Sequence, residues 1–259
     1  MTTALITGAS NGIGLELANI HASKGNDLVL VARNKSKLDE LKTTLENQYK
    51  VKVYTIGKDL STNNSAQEVY EETTQQNIRI DYLINNAGFG DFGLFIENDW
   101  SKAEQMIHLN ITTLTQFTKL YLQDMVKRKD GKIMNVASTA AFQSGPLMAV
   151  YFATKAYVLS FSEAVNNEVS DNGITVTTLC PGATESGFQA AAAMEESNLS
   201  KISKLPTSKE VAEYGYIAMM NGKTVAIHGV LNWIMAGAIR FTPRAAVVKL
   251  TRKILSKTK

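Results

Sequence analysis

The segment YFATK, residues 151–155, sets a phenol and an ammonium four residues apart in an otherwise apolar run. On a helix, positions i and i+4 share a face, so Tyr151 and Lys155 project side by side. At the surface such a pair is ordinary; half-buried beside a cofactor it is a proton donor with its pKa adjuster. Free tyrosine and lysine titrate near about 10 and 10.4, so neither transfers protons well alone at neutral pH. A neighbouring ammonium favours tyrosinate and lowers the phenol's pKa. Bringing it to about 7 takes roughly 4 kcal/mol of differential stabilisation. The chemistry this suits is delivery of a proton to the alkoxide that forms when a carbonyl accepts a hydride.

A second unusual stretch, TGASNGIG, follows a short apolar strand and opens a helix. Gly8 permits a sharp turn, Gly12 lets the backbone approach a pyrophosphate, and Gly14 lets the helix pack on the strand. The helix N-terminus, Ile13 included, offers free N–H groups to an anion, and Ser10 and Asn11 add contacts. The end of the second strand tells which dinucleotide is expected. NAD sites usually place a carboxylate there for the ribose 2′-hydroxyl. Here the strand ends VAR: Ala32 cannot accept that bond, and the Arg33 guanidinium suits a 2′-phosphate. The expected cofactor is NADP(H).

Stepping along the chain, buried apolar strands alternate with amphipathic helices from ALIT to TVAIH (residues 224–228). Two helices matter most for the site: a long one over about residues 99–126, and one carrying Tyr151 that runs to about residue 170 and stops at Gly173. Thr207 and Glu210 form a capping box for a later helix. This order predicts an α/β fold, a Rossmann-type doubly wound parallel sheet of about seven strands flanked by helices. Residues 1–230 read as one dinucleotide-binding and catalytic domain and residues 231–259 as an apolar and basic extension. In such folds ligands bind past the carboxyl ends of the strands, where every unusual motif falls.

The bulk numbers exclude several classes. With 259 residues and one cysteine, Cys180, the chain forms no internal disulfide and no thiolate zinc cluster. His21, His108 and His228 lack metal spacing, so no metal is expected. A net charge of +3 is too mild to imply nucleic acid. No signal peptide or spanning run is visible, and a reducing, cytoplasmic setting fits.

Taken together, TGASNGIG, Asp59–Leu60, NNAG at residues 85–88, Asn110, Ser138, YFATK and Pro181–Gly182 resemble the short-chain dehydrogenase/reductase family, in its order and over most of the chain. Within it the chain looks like the single-domain NADP-dependent reductases. The resemblance implies that Asp59 and the Leu60 backbone hold the adenine, and that Asn86, Ala87 and Gly88 line the adenosine ribose side. The segment after Pro181 and Gly182, through Thr184 to Ser186, takes the nicotinamide carboxamide. Here Ser186 replaces the family's usual threonine and keeps its hydroxyl. Tyr151 is the proton donor, Lys155 also holds the nicotinamide ribose, Ser138 bonds the substrate oxygen, and Asn110 keeps a water against Lys155. The implied activity is reversible NADP(H)-dependent reduction of a ketone or aldehyde to an alcohol. One alternative is a β-ketoacyl reductase acting on carrier-protein or CoA thioesters; another is a non-catalytic NADP-binding sensor or scaffold.

Substrate and partners are less sharply written. Phe89, Phe92, Phe95, Phe142, Leu147 and Met148 are expected to line an apolar pocket under a lid at residues 185–205. The basic run Lys127–Arg128–Lys129 would suit an acidic carrier. The helix after Tyr151 is apolar on more than one side, which points to a homodimer, with a tetramer as the larger alternative. After Pro243, Val247, Leu250 and Ile254 fall at helical spacing among basic residues, so the tail reads as a basic amphipathic helix. It either packs on its own domain or contacts a membrane surface weakly.

Overall fold

The computed structural model describes residues 1–188 and 205–256. Seven parallel strands form one sheet in the order β3-β2-β1-β4-β5-β6-β7. They are β1 Thr3–Thr7, β2 Asp27–Ala32, β3 Val53–Gly57, β4 Tyr82–Asn85, β5 Gly131–Val136, β6 Ile174–Cys180 and β7 Val225–Ile227. The expected doubly wound sheet is present, with the TVAIH segment supplying its last strand.

Helices cover both faces: α1 Gly12–Ser23, α2 Lys35–Tyr49, α3 Ser65–Gln75, α4 Trp100–Ile107, α5 Leu114–Arg128, α6 Ala149–Val169 and α7 Ser208–Met220. Successive strand residues point to opposite faces, so Ala4 and Ile6 enter one core and Leu5 the other. The first core gathers Leu17, Leu38, Leu45 and Val211 from α1, α2 and α7. The second gathers Val69, Phe117, Tyr121, Met125 and Val169 from α3, α5 and α6. Burial on both faces is why the strands read as continuous apolar runs.

Local chemistry sets the helix ends. Asn34 and Asp99 accept from Lys37 and Ser101 backbone N–H groups, and Thr207 with Glu210 makes the expected capping box. Gly25 and Gly173 stop their helices in left-handed conformations, φ 74° and 76°.

The structure departs from the sequence expectation in two places. The long helix over residues 99–126 is interrupted: a π-helical turn, His108–Thr113, joins α4 to α5. Such a turn widens the hydrogen-bond ladder locally and is often found at functional sites. Asn110 lies within it. Beyond β7 come two more helices, α8 Val230–Ala238 and α9 Arg244–Leu255. The tail helix forms as expected, but with a different inward face. Val247, Thr251 and Leu255 are buried, while Leu250 is 57% and Ile254 38% exposed. The Thr251 hydroxyl donates to the Val247 carbonyl at 2.9 Å, so its polar group is satisfied within the helix and its methyl can face inward.

Packing is very tight at the start of α1. A Cβ on Gly14 would stand 2.4 Å from the Gly8 carbonyl oxygen and 2.5 Å from Asn86 Nδ2. Gly14→Ala is therefore expected to lower stability by about 1–3 kcal/mol or more, the cost of overpacking. Gly25→Ala meets open space but a left-handed backbone, and should cost only about 1 kcal/mol. Urea midpoints of the two variants check this; equal shifts would mean that the close approach is absent.

Candidate active site

The crevice lies past the carboxyl ends of β1 and β4, paired neighbours whose following connections lead to opposite edges of the sheet. Thr7, at the end of β1, accepts at its hydroxyl from the Asn86 and Ala87 N–H groups, both at 3.0 Å. The Asn86 amide donates back to the carbonyls of Thr7 at 2.9 Å and Gly8 at 3.3 Å. Sequence reading set Asn86 on the ribose side; here its side chain holds the glycine loop, so it shapes the cradle. The hydroxyl role of Thr7 was missed, although its place directly before Gly8 was a usable signal.

Gly8 and Gly12 have φ of 68° and 55°, as the turn needs. The exposed Asn11 side chain caps α1, accepting from Gly12 N at 2.7 Å. Ser10 and Ile13 flank this turn, half-buried. At the end of β2, Ala32 is buried and Arg33 exposed. Asp59, beyond β3, is pushed up by desolvation, but hydrogen bonds from Ser61 and the Arg33 charge outweigh that and hold its carboxyl below the usual range. Arg33 and Asp59 therefore stand at one rim. The Leu60 carbonyl is occupied by the Thr113 and Ser65 hydroxyls at 2.8 and 3.2 Å.

Ser138, Tyr151, Lys155 and Asn110 come together behind this cradle, all buried. Ser138 follows β5 and caps the short turn Thr139–Phe142, accepting from Ala140 N at 3.1 Å. Tyr151 enters from the first turn of α6, and burial pushes its phenol up to about 12, with the Ser138 hydroxyl acting the other way. Burial likewise brings Lys155 down to about 8. Its ammonium donates to the Val136 carbonyl at 2.8 Å and lies 5.8 Å from the Tyr151 ring centroid. The expectation that Lys155 lowers the phenol's pKa is not met by these residues alone: desolvation dominates, and Tyr151 keeps its proton at neutral pH. Cys180 lies nearby, its thiol pushed up to about 12 by burial.

Asn110 also ties two parts of the chain together. Its amide donates to Phe89 O at 3.0 Å and Thr154 Oγ1 at 3.1 Å, and its carbonyl accepts from Phe89 N at 3.3 Å. It fastens the loop after β4 to α6. A Cβ on Gly88 would lie 3.0 Å from Asn110 Oδ1 and 3.4 Å from Lys155 Nζ, so glycine there lets the loop pass between them.

The segment after β6 arches over the cradle. Pro181 O accepts from Thr139 N at 2.8 Å, and the Asn232 amide crowds Gly182. Thr184 donates its hydroxyl to Gly182 O at 3.0 Å, and Ser186 accepts from Phe188 N at 3.3 Å. Ser186 Cβ is 3.5 Å from where a Gly12 Cβ would be. Most of the expected lid lies outside the described residues.

The walls beside Tyr151 are apolar. Phe89, Phe92, Leu147, Met148 and Phe188 pack in one cluster with it. The Phe188 ring, which sequence reading placed in the expected lid without assigning it to the wall, sits 5.2 Å from the Tyr151 ring. Phe142 instead belongs to a separate cluster with Val158 and Cys180. Phe95 lines an adjoining cleft of about 130 Å³ with Trp100, Met106 and Met148. The basic run does not serve this mouth. Lys127, Arg128 and Lys129 lie at the end of α5, beside the amino end of β5, and Arg128 donates to the Asp130 and Ile80 carbonyls. Among the described residues no cluster fits a metal ion.

These features define a dinucleotide crevice with a tyrosine–lysine–serine cluster at its end. Residues 2–197 match the sequence model of the short chain dehydrogenase family. The chain therefore belongs to that family, oxidoreductases of the carbonyl and alcohol level. A short-chain dehydrogenase from Sphingobium yanoikuyae in complex with NADPH is similar, with 32% identity, TM-score 0.84, and 93% of this chain and 94% of that one covered. So is the bulky-bulky ketone specific alcohol dehydrogenase from Comamonas testosteroni, at 30% identity and TM-score 0.80, covering 93% and 92%. Among curated relatives, very-long-chain 3-oxoacyl-CoA reductase-B of Danio rerio is 31% identical over 91% of this chain and 75% of its own length. The Homo sapiens very-long-chain 3-oxoacyl-CoA reductase is 30% identical over 69% of this chain, which spans 58% of that protein.

Burial of Lys155 has a measurable cost. Its folded value of about 8 is below the ordinary 10.5. Between those values the unfolded chain holds a proton that the folded chain has released, so stability rises with pH across that window. Lys155→Met should therefore be more stable than wild type at neutral pH by about 3 kcal/mol, less the lost Val136 bond. The gain should shrink above pH 8 and vanish near 10.5. Urea unfolding of both proteins across this range tests it; a pH-independent difference would contradict the buried ammonium.

Proposed function

We propose that this chain reduces the carbonyl of an apolar ketone to an alcohol, with NADPH as hydride donor. The observation that carries the reading is a buried Tyr151 phenol, packed with Phe89, Leu147, Met148 and Phe188, beside Ser138 and Lys155. The glycine turn with its positive φ values, the exposed Arg33 and the absence of a carboxylate at Ala32 fit a 2′-phosphorylated dinucleotide. When bound, that group supplies the hydride. Arg33 holds the 2′-phosphate; Asp59 and Leu60 border the adenine end, and Ala87 and Gly88 the ribose. The Pro181–Ser186 arch closes over the nicotinamide end.

Ser138 donates to the substrate oxygen and stabilises the charge that grows there. Tyr151 gives that oxygen its proton. Burial keeps the phenol protonated, which is the form reduction requires, and the Lys155 ammonium stabilises the tyrosinate left behind. Lys155 also orients the nicotinamide ribose. Asn110 positions the loop after β4 so that Gly88 and Phe89 keep their places. Four polar side chains buried in one cluster are costly to keep without use, which weighs against a sensor or scaffold.

A second reading, reduction of a 3-oxoacyl thioester, draws on the names of the curated relatives. It shares the same chemistry on a ketone with a bulky apolar arm. In either case residues 1–230 carry the cofactor-binding and catalytic side chains and residues 231–259 form an extension, of which Leu255 reaches the Tyr151 cluster. The chain works in the cytoplasm as a homodimer joined through α5 and α6, where Tyr157 and Phe161 stack at 5.7 Å near the surface.

Loss of NADPH absorbance across a panel of aryl and long-chain ketones, a 3-oxoacyl-CoA and a ketose tests the reading; oxidation with the ketose alone, or with none, would overturn it. Tyr151→Phe should lower turnover by about 10²–10⁴-fold while leaving NADPH affinity nearly unchanged, because only the proton donor goes. Arg33→Ala should weaken NADPH by about 1–3 kcal/mol and scarcely change NADH. Equal losses for both cofactors, read by fluorescence titration, would remove Arg33 from the 2′-phosphate.

A further inference from the structure

Helix α8 and the turn that follows it, Ile239–Phe241, are apolar on the outside. Val230 is 76% exposed, Leu231 70%, Trp233 64%, Ile234 52% and Phe241 91%. Of the large side chains here none is buried; in α8 only Ala236 is. Contiguous apolar exposure of this kind marks an interaction site. Helix α9 adds Leu250 and Ile254 on the flank of its buried stripe.

The charge around this face is one-sided. All 24 acidic residues precede Tyr214, whereas eight basic residues follow it, Arg240, Arg244, Lys249 and Arg252 among them. The preceding part thus has nineteen basic residues against 24 acids, so the chain's positive balance resides in its last stretch. Arg240, Arg244, Lys249 and Arg252 are all exposed, and among the described residues none joins an ion pair. No helix among the described residues is long and apolar enough to cross a membrane.

We propose that α8, the Ile239–Phe241 turn and the exposed side of α9 form a docking surface for an anionic lipid bilayer. Trp233, Phe241, Leu231 and Ile234 enter the interface between headgroups and acyl chains, and the basic residues meet lipid phosphates and carboxylates. Charge complementarity selects this occupant over a second copy of the chain. A two-fold contact sets the same patch against itself, which here brings cation toward cation. Docking would also bring the substrate mouth to the lipid. Asn232 of α8 abuts Gly182, and Leu255 of α9 lies in the buried cluster that contains Tyr151. An apolar ketone dissolved in the bilayer would then have a short path to the site; this last point rests on the proposed function, whereas the docking itself does not.

The test is flotation of the full chain with vesicles of phosphatidylcholine alone or with phosphatidylserine added. Trp100→Phe serves as background, so that Trp233 is the single tryptophan reporter. The expected result is binding to the anionic vesicles at low salt, weakened by high salt and on neutral vesicles, with a blue shift of Trp233 emission. Arg244→Glu with Arg252→Glu should weaken binding by at least about 25-fold, taking roughly fivefold for each basic residue near the surface. Trp233→Glu with Phe241→Glu should abolish it, with NADPH affinity retained as evidence of folding. Absence of binding to anionic vesicles at low salt overturns the proposal. So does sedimentation showing an oligomer that Trp233→Glu with Phe241→Glu dissociates, because the face would then be occupied by a second copy.

Discussion

The site depends on how closely the ends of β1 and β4 can approach one another. Thr7 and Asn86 exchange hydrogen bonds across that junction, and Gly14 leaves room for the Gly8 carbonyl and the Asn86 amide in the same small space. This holds the glycine turn against the first turn of α1, with free N–H groups directed at the crevice. It also fixes where the chain leaves β4. From there Gly88 passes between Asn110 and Lys155, and Phe89 is clamped by the Asn110 amide. The glycine cradle and the buried Tyr151–Lys155 cluster are thus two ends of one packed seam.

The opposite end of that seam is defined by desolvation. Tyr151 and Lys155 are both driven toward their neutral forms, a phenol up to about 12 and an amine down to about 8. The fold tolerates this because the Val136 carbonyl, at the end of β5, receives the ammonium. A surface pair at the same spacing would titrate near its ordinary values. The burial that makes the pair costly is also what keeps water from competing for the proton.

Much of this was legible in the sequence because it is local or strongly patterned. Continuous apolar runs gave away a sheet covered on both faces, glycine spacing gave away the turn, and a four-residue interval placed Tyr151 beside Lys155. What stayed hidden depends on contacts far apart in the chain. The Asn110 amide is bound to Phe89 and Thr154, and no spacing encodes such partners. Phe142 and Phe188 are equally aromatic, but only Phe188 stands over Tyr151. In α9 a hydrophobic count misplaced the inward face because Thr251 satisfies its own hydroxyl and packs as though apolar. Lys127–Arg128–Lys129 were recognisable as basic, but only topology puts them beside the amino end of β5.

Leu255, almost the last described residue, lies in the buried cluster with Tyr151, Met148 and Phe152. The apolar cluster around Tyr151 is therefore completed by a part of the chain that makes none of the sheet. Variation in a carboxy-terminal helix is cheap for a fold: it leaves strand pairing and the glycine turn alone. Substitutions in α9 can thus reshape the surroundings of Tyr151 while strand pairing and the glycine turn stay as they are.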